Sequence, residues 1–184
     1  SFYRLGLSAN HPGYVIAGAQ DNSTFYYDNN SWINIIGGDG MECIIHPNQP
    51  TTIWGMSQYG NLARSYDGGQ NIDYGLSSSI NEEGEWTTPY LYNESNNSIY
   101  AGFGNLWKSS DDGDTWVKLS SMNNMNGANF PAPASALAQC SKDKDIIYMA
   151  KRIYHSYNSK SELWLTKDEG NTWLNITNGL PDSL

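Results

Sequence analysis

Ser109-Ser110-Asp111-Asp112-Gly113-Asp114-Thr115-Trp116 returns almost residue for residue as Thr166-Lys167-Asp168-Glu169-Gly170-Asn171-Thr172-Trp173. A weaker copy, Ser65-Tyr66-Asp67-Gly68-Gly69-Gln70-Asn71-Ile72, precedes them, and Asp28-Asn29-Asn30-Ser31-Trp32 is a degenerate, shorter relative. The common form is (S/T)-x-D-x-G-x-(T/N)-(W/I), and elementary chemistry supplies a job for each conserved position of the repeat. Gly69, Gly113 and Gly170 permit the positive φ of a tight turn. The carboxylates of Asp67, Asp111 and Asp168 accept backbone N–H bonds within that turn. Trp116 and Trp173 pack beneath it against a neighbouring unit. A calcium loop is the competing use of such a stretch, but one carboxylate followed at once by a glycine turn supplies too few oxygen ligands. No metal is expected.

Upstream of each turn sits a second marker: Val15-Ile16-Ala17-Gly18, Ile53-Trp54-Gly55, Ile99-Tyr100-Ala101-Gly102 and Ile147-Tyr148-Met149-Ala150. A polar turn precedes each marker, as in His11-Pro12-Gly13 and His46-Pro47-Asn48-Gln49-Pro50. Every unit thus reads as four short strands punctuated by turn residues, a four-stranded antiparallel meander. Recurrence at intervals of about 40–55 residues makes each meander a β-propeller blade. The expected fold is all-β, with blades at about residues 3–36, 41–74, 87–120 and 134–177. Extra length in the last unit falls in Ser121 to Pro133 and Ile153 to Ser161. Four blades rarely close a ring alone, so a larger propeller of about seven or eight blades is expected. A four-bladed ring and two copies completing one ring are the alternatives. An open arc would expose pairing-prone strand edges.

Composition narrows the function. The formal net charge of −9 repels phosphate backbones and anionic membranes, so nucleic acid is excluded as a partner. Charged residues make up 16%, below the roughly 25% of ordinary globular domains. Asn, Ser, Gly and Tyr take their place, a turn-rich and aromatic-rich profile suited to an extracellular β protein. No apolar run of the roughly 18 residues needed to span a membrane occurs. The chain opens at Ser1 without Met, as an excised or processed piece would. Cys43 and Cys140 fall on first strands of non-neighbouring units, so they are expected to be thiols and not a disulfide.

Alternate turns of a meander emerge on opposite faces. Arg4, Asp39 and Trp86 fall at first-strand entrances, and Gln20-Asp21-Asn22, Gln58-Tyr59, Phe103 to Asn105 and Tyr154-His155-Ser156-Tyr157 fall in second-to-third turns. These are expected on one face, with Asp67, Asp111 and Asp168 on the other. Asp39 has two roles open to it. Paired with Asp21 or Glu42 it forms the two carboxylates of glycoside hydrolysis; alone it caps N–H groups of its glycine turn, with Asp21 organising a turn of its own. Aromatic side chains beside carboxylates and amides suit a neutral glycan better than an anionic one. His11 and His46 precede Pro at equivalent places and are repeat punctuation, while His155 beside two tyrosines is a sugar-stacking candidate. No Ser-His-Asp spacing, Cys-x-x-Cys, phosphate loop or HExxH is present, and no cofactor is expected.

The octapeptide resembles the Asp-box, or BNR repeat, of sialidases, sortilin-type propellers and xyloglucanase-type propellers. The resemblance covers essentially the whole chain and implies the propeller fold, with the turns serving structure. Sialidases use three arginines on a substrate carboxylate; only Arg4, Arg64 and Arg152 exist here, none in the Arg-Ile-Pro setting of that family. Xyloglucanase-type propellers carry catalytic Asp residues near first-strand entrances, where Asp39 lies, in a cleft between two propellers. Gly18-Ala19-Gln20-Asp21-Asn22, Gly37-Gly38-Asp39-Gly40, His46-Pro47 and Ser57-Gln58-Tyr59-Gly60 look like large secreted propeller proteins of Bacteroidota, exported by the type IX route and labelled glycosyl hydrolase-like on the repeat alone. The resemblance implies a secreted or cell-surface, bacterial, non-catalytic module that binds a glycan or extracellular protein or serves as a rigid scaffold. It would be completed by the remaining blades of a parent chain or by a second copy. The alternative is a xyloglucanase-like glycoside hydrolase using Asp39 with a second carboxylate.

Overall fold

The computed structural model describes residues 1–119, 132–153 and 160–180. Sheet 1 comprises β1 (Phe2–Leu7), β2 (Tyr14–Ala19), β3 (Thr24–Asp28) and β4 (Trp32–Ile36). Sheet 2 comprises β5 (Cys43–His46), β6 (Gln49–Ser57), β7 (Asn61–Ser65) and β8 (Asp73–Tyr74), with a 3-10 turn at Gln58–Gly60. Sheet 3 is β9 (Tyr90–Asn93), β10 (Ser98–Gly102), β11 (Leu106–Ser109) and β12 (Val117–Lys118); sheet 4 is β13 (Ala134–Gln139), β14 (Ile147–Ile153), β15 (Lys160–Thr166) and β16 (Leu174–Asn175). Each sheet is an antiparallel meander in sequence order, and no α-helix occurs among the described residues.

The first strands neighbour one another, β1 beside β5, β5 beside β9 and β9 beside β13, so the sheets stand radially around them. This is β-propeller architecture. The second strands of sheets 2 and 3, β6 and β10, sit between neighbouring sheets and are buried on both faces, which explains their near-continuous apolar runs. In β6, Ile53 packs in the core between sheets 1 and 2, while Trp54 and Met56 pack in the core between sheets 2 and 3. In β10, Ile99 and Ala101 look back to sheet 2 and Tyr100 looks on to sheet 4.

The octapeptide turns join blade to blade. Ser109 Oγ donates to Asp111 Oδ1 at 2.8 Å and accepts from the Gly113 N–H at 2.8 Å. Asp111 in turn accepts from the Thr115 N–H at 2.8 Å and from Thr115 Oγ1 at 2.6 Å. Thr166, Asp168, Gly170 and Thr172 reproduce this network, and Ser65, Asp67, Gly69 and Asn71 do so with an amide in place of the last hydroxyl. In the degenerate copy Asp28 accepts from the N–H groups of Asn30 and Ser31.

With φ of 103° at Gly113 and 92° at Gly170, the backbone is left-handed there, and an added Cβ would come within 3.0 Å of Leu62 and Leu119 of the preceding sheets. Trp116 Nε1 donates to Leu76 O at 2.9 Å, and Trp54 Nε1 donates to Asp112 O at 2.9 Å. Each turn is therefore gripped by the sheet before it. Both cysteines are free thiols: Cys43 is buried in β5, and Cys140 lies one residue past β13.

Two outcomes follow from this network. Trp116→Ala leaves a cavity between sheets 2 and 3 and should cost about 3 kcal/mol, while Asp111→Ala should cost about 1–2 kcal/mol, both read by urea unfolding. Hydrogen bonds from Asn71 and Ser65 hold Asp67 down to about 2. With an unfolded value of about 3.9, its contribution is fully present above pH 4 and disappears as pH falls through about 2. The melting temperature should drop across that window, and less steeply in Asp67→Asn.

Candidate functional site

The connection from β4 to β5 folds over the β2–β3 turn. Ser23 N donates to Gly38 O at 2.7 Å and Gly40 N to Ala19 O at 3.1 Å. The approach is too close for side chains: a Cβ on Gly18 would lie 2.1 Å from Met41 O, and one on Gly40 2.3 Å from Ser23 O. This backbone seam presents Asp39. Its Oδ1 accepts from the Asp21 N–H and its Oδ2 from Gln58 Nε2, each at 2.5 Å. One carboxylate thus ties the β2–β3 turn, the β4–β5 connection and the β6–β7 turn together. It caps the neighbouring turn and not, as a sequence-based reading has it, its own glycine turn. Asp21, Ser23, Gly38, Asp39 and Gln58 line an open cleft of about 260 Å³.

Beside this cleft Trp86 Nε1 donates to Tyr3 Oη at 3.3 Å, and Trp86 meets Tyr59 edge to face with ring centres 5.3 Å apart. Both rings remain open to solvent, Trp86 at 40% and Tyr59 at 52%. Tyr59 holds a left-handed φ of 61°, rare for an aromatic residue. Arg4 Nε lies 3.4 Å from Glu42 Oε2. Burial pushes the Glu42 carboxyl above the usual carboxylate range, partly offset by Arg4 and the Cys43 N–H. Gln20 N donates to Ser1 O and Asn22 Nδ2 to Gln20 O, which fixes the exposed β2–β3 turn beside the cleft.

The octapeptide turns sit at the other end of the strands. β6 runs from the Gly68 N–H bond on Thr51 O to the Gln58 clamp on Asp39, which places Asp67 and Asp39 at opposite ends of one strand. β10 likewise begins at Ser98, bonded to Ser110 of the next turn, and ends at Gly102.

Several expected site residues are placed elsewhere. Phe103 and Asn105 are buried, because the segment between β8 and β9 crosses their turn and Glu82 accepts from Asn105 N, Asn105 Nδ2 and Trp107 Nε1. Tyr154, His155 and Tyr157 lie outside the described residues. His46 is a turn organiser: its Nδ1 accepts from the N–H groups of Asn48 and Gln49. Arg64 is buried against Asp73 and Asp114, away from the cleft. Among the described residues no three or more His, Cys, Asp or Glu side chains gather as a metal site. Tyr3 was missed by reading the sequence, although an aromatic ring beside Arg4 at a first-strand entrance signals it.

Neither a protein-family model nor a curated protein sequence matches this chain. Solved propeller structures do. A GH74 xyloglucanase from Xanthomonas campestris aligns with a TM-score of 0.68 at 13% identity, over 94% of this chain and 29% of its own. An ancestral GH74 enzyme aligns with a TM-score of 0.73 at 13% identity, over 98% and 26%. YCF48 bound to a D1 peptide aligns at 0.53 and 9% identity, over 96% and 82%. The likeness is one of fold. The chain spans under a third of the length of the GH74 enzymes.

The Arg4–Glu42 pair gives a direct check by carboxyl-carbon NMR. Glu42 should titrate above the ordinary glutamate range, and higher still in Arg4→Ala, because the cation favours the charged form.

Proposed function

We propose that this chain is a non-catalytic propeller module of a secreted or surface protein and that it binds a neutral glycan on the face carrying Trp86. The observation that carries this is the solvent-open Trp86–Tyr59 pair, braced by Tyr3 beside the Asp39 cleft. Ring faces of this kind stack on the C–H faces of sugars, and the neighbouring carboxylate and amide groups accept hydroxyl hydrogen bonds. The left-handed Tyr59 supports the assignment, since strained conformations gather at binding sites. Asp39 serves as a positioning group: both its oxygens are engaged in holding turns. The octapeptide turns act as Asp-boxes, and export by the type IX route fits the same picture. An extracellular protein ligand on this face, or a purely scaffolding role, is the nearest variant of the proposal.

One observation favours glycoside hydrolysis as a second reading. Glu42 is shifted in the direction a general acid requires, on the same face as Asp39, and the structural neighbours include enzymes named as xyloglucanases. A single experiment separates the two. Xyloglucan and other neutral polysaccharides are titrated calorimetrically against wild type, Trp86→Ala and Asp39→Asn, with reducing ends assayed in parallel. Binding weakened about tenfold by Trp86→Ala, with no reducing ends released, is the expected result. Release of reducing ends that Asp39→Asn abolishes would install the hydrolase reading instead, and no binding by any polysaccharide would end the glycan assignment.

A further inference from the structure

Residues 75–89 lead from β8 of sheet 2 to β9 of sheet 3 and form a strap along the face that carries Trp86. The strap starts at Ser77, whose Oγ accepts from Leu62 N at 3.1 Å and donates to Gly60 O at 2.8 Å. Ile80 then enters the core between sheets 2 and 3. Glu82, Gly84 and Trp86 follow.

Four donors converge on the Glu82 carboxylate. Its Oε1 accepts from Asn105 Nδ2 at 2.6 Å and faces Lys118 Nζ at 3.7 Å. Its Oε2 accepts from Asn105 N at 2.8 Å and from Trp107 Nε1 at 3.0 Å. All of these groups belong to sheet 3 or its β10–β11 turn. Bonds to a carboxylate are roughly twice as strong as those between neutral groups, so the strap is anchored firmly here. A carboxamide could not replace it, because its N–H groups would face donors.

Glu82 stands four residues before Trp86. Four residues of chain span at most about 14 Å, so fixing the carboxylate limits where the indole can go. Between them Gly84 has no room to shift: a Cβ there would come 2.3 Å from Thr88 Oγ1 and 2.7 Å from Tyr59 O. The strap therefore presses on the β6–β7 turn. Tyr59 N donates to Trp86 O at 3.4 Å, and Gly60 O accepts from both Ser77 Oγ and Tyr90 Oη. The left-handed backbone of Tyr59 is held between these attachments.

We propose that Glu82 is the positioning residue of the aromatic platform. By anchoring the strap to sheet 3 it fixes Trp86 and Tyr59 in the arrangement that a glycan meets, although its own partners are Asn105, Trp107 and Lys118. Rings ordered in advance need not be immobilised during binding, a step that otherwise costs affinity. The ligand in this role rests on the glycan reading above; the order of the two rings does not.

Two measurements test the role of Glu82. The first needs no ligand. In protein labelled with fluorotryptophan, the Trp86 fluorine signal is assigned by Trp86→Phe. Glu82→Gln should move that signal toward its position in urea while those of Trp32 and Trp173 stay in place. Trp107→Phe, which removes one donor and keeps the carboxylate, should move it the same way by less, and it carries the test if Glu82→Gln does not fold.

The second measurement is calorimetric titration with xyloglucan. Glu82→Gln should weaken binding about fivefold in the wild-type background and leave it unchanged in Trp86→Ala, because Glu82 acts through that ring. A general loosening of the fold would weaken binding equally in both backgrounds. That result, or a Trp86 signal unmoved by Glu82→Gln, would overturn the proposal. If wild type binds no polysaccharide, the glycan reading falls and the fluorine signal decides the role of Glu82 by itself.

Discussion

The carboxylate of the repeated turn is the constraint on which the rest of the molecule depends. Asp111, held by Ser109 on one side and Thr115 on the other, closes a turn too tight for any residue but glycine at position 113. Closure brings the Gly113 backbone against Leu62 and Leu76 and lets the Trp116 indole reach Leu76 O. A local hydrogen-bond network thereby becomes a joint between sheets. Without it each meander has a single packed face at most, and isolated four-stranded sheets of this size have little core of their own. Stacked, the second strands of sheets 2 and 3 are buried on both sides.

The joints share geometry but not chemistry, and the difference sets the order of the blades. Arg64 is buried with Asp73, Asp114 and the Asp112 carbonyl around it. Lys108 meets Glu169, which also accepts from Tyr100 and Asn96. The joint between sheets 1 and 2 is apolar, with Tyr26 over Gly68. A partly buried cation without its carboxylate is costly, as is a carboxylate facing an apolar socket. Exchanging the Gly68 turn with either acidic turn would create both faults, so the charges act less as glue than as discrimination between otherwise similar surfaces.

Much of this was legible in the residues, for a physical reason. Turn chemistry is local: Asp, Gly and Trp at fixed offsets specify a conformation whatever surrounds them, so Asp111, Gly113 and Trp116 could be assigned to structure from spacing alone. The two-residue period of strands then divides the turns between two faces. What spacing cannot carry is the course of the long connections. Phe103 and Asn105 occupy a second-to-third turn as their position requires, but the segment between β8 and β9 lies over them, with Ile80 packed in the core of Phe103 and Glu82, an unremarked acid in an irregular stretch, accepting from Asn105. Tyr3 escaped notice for a related reason. Its significance depends on Trp86, a residue far along the chain that meets it only once three sheets are stacked.

The same division of faces frees one end of the molecule for chemistry. The joints that hold the blades are concentrated at the octapeptide end, where Gly68, Asp112 and Glu169 are seated. At the other end the connections need only return the chain to the next first strand. They are tied by a few contacts, chief among them Asp39 bridging Asp21 and Gln58. Strain is tolerable there, as at Tyr59, because the packed cores below do not depend on it. A face with little structural duty can present aromatic rings to solvent at modest cost to the fold, and Trp86 and Tyr59 are the residues that do so.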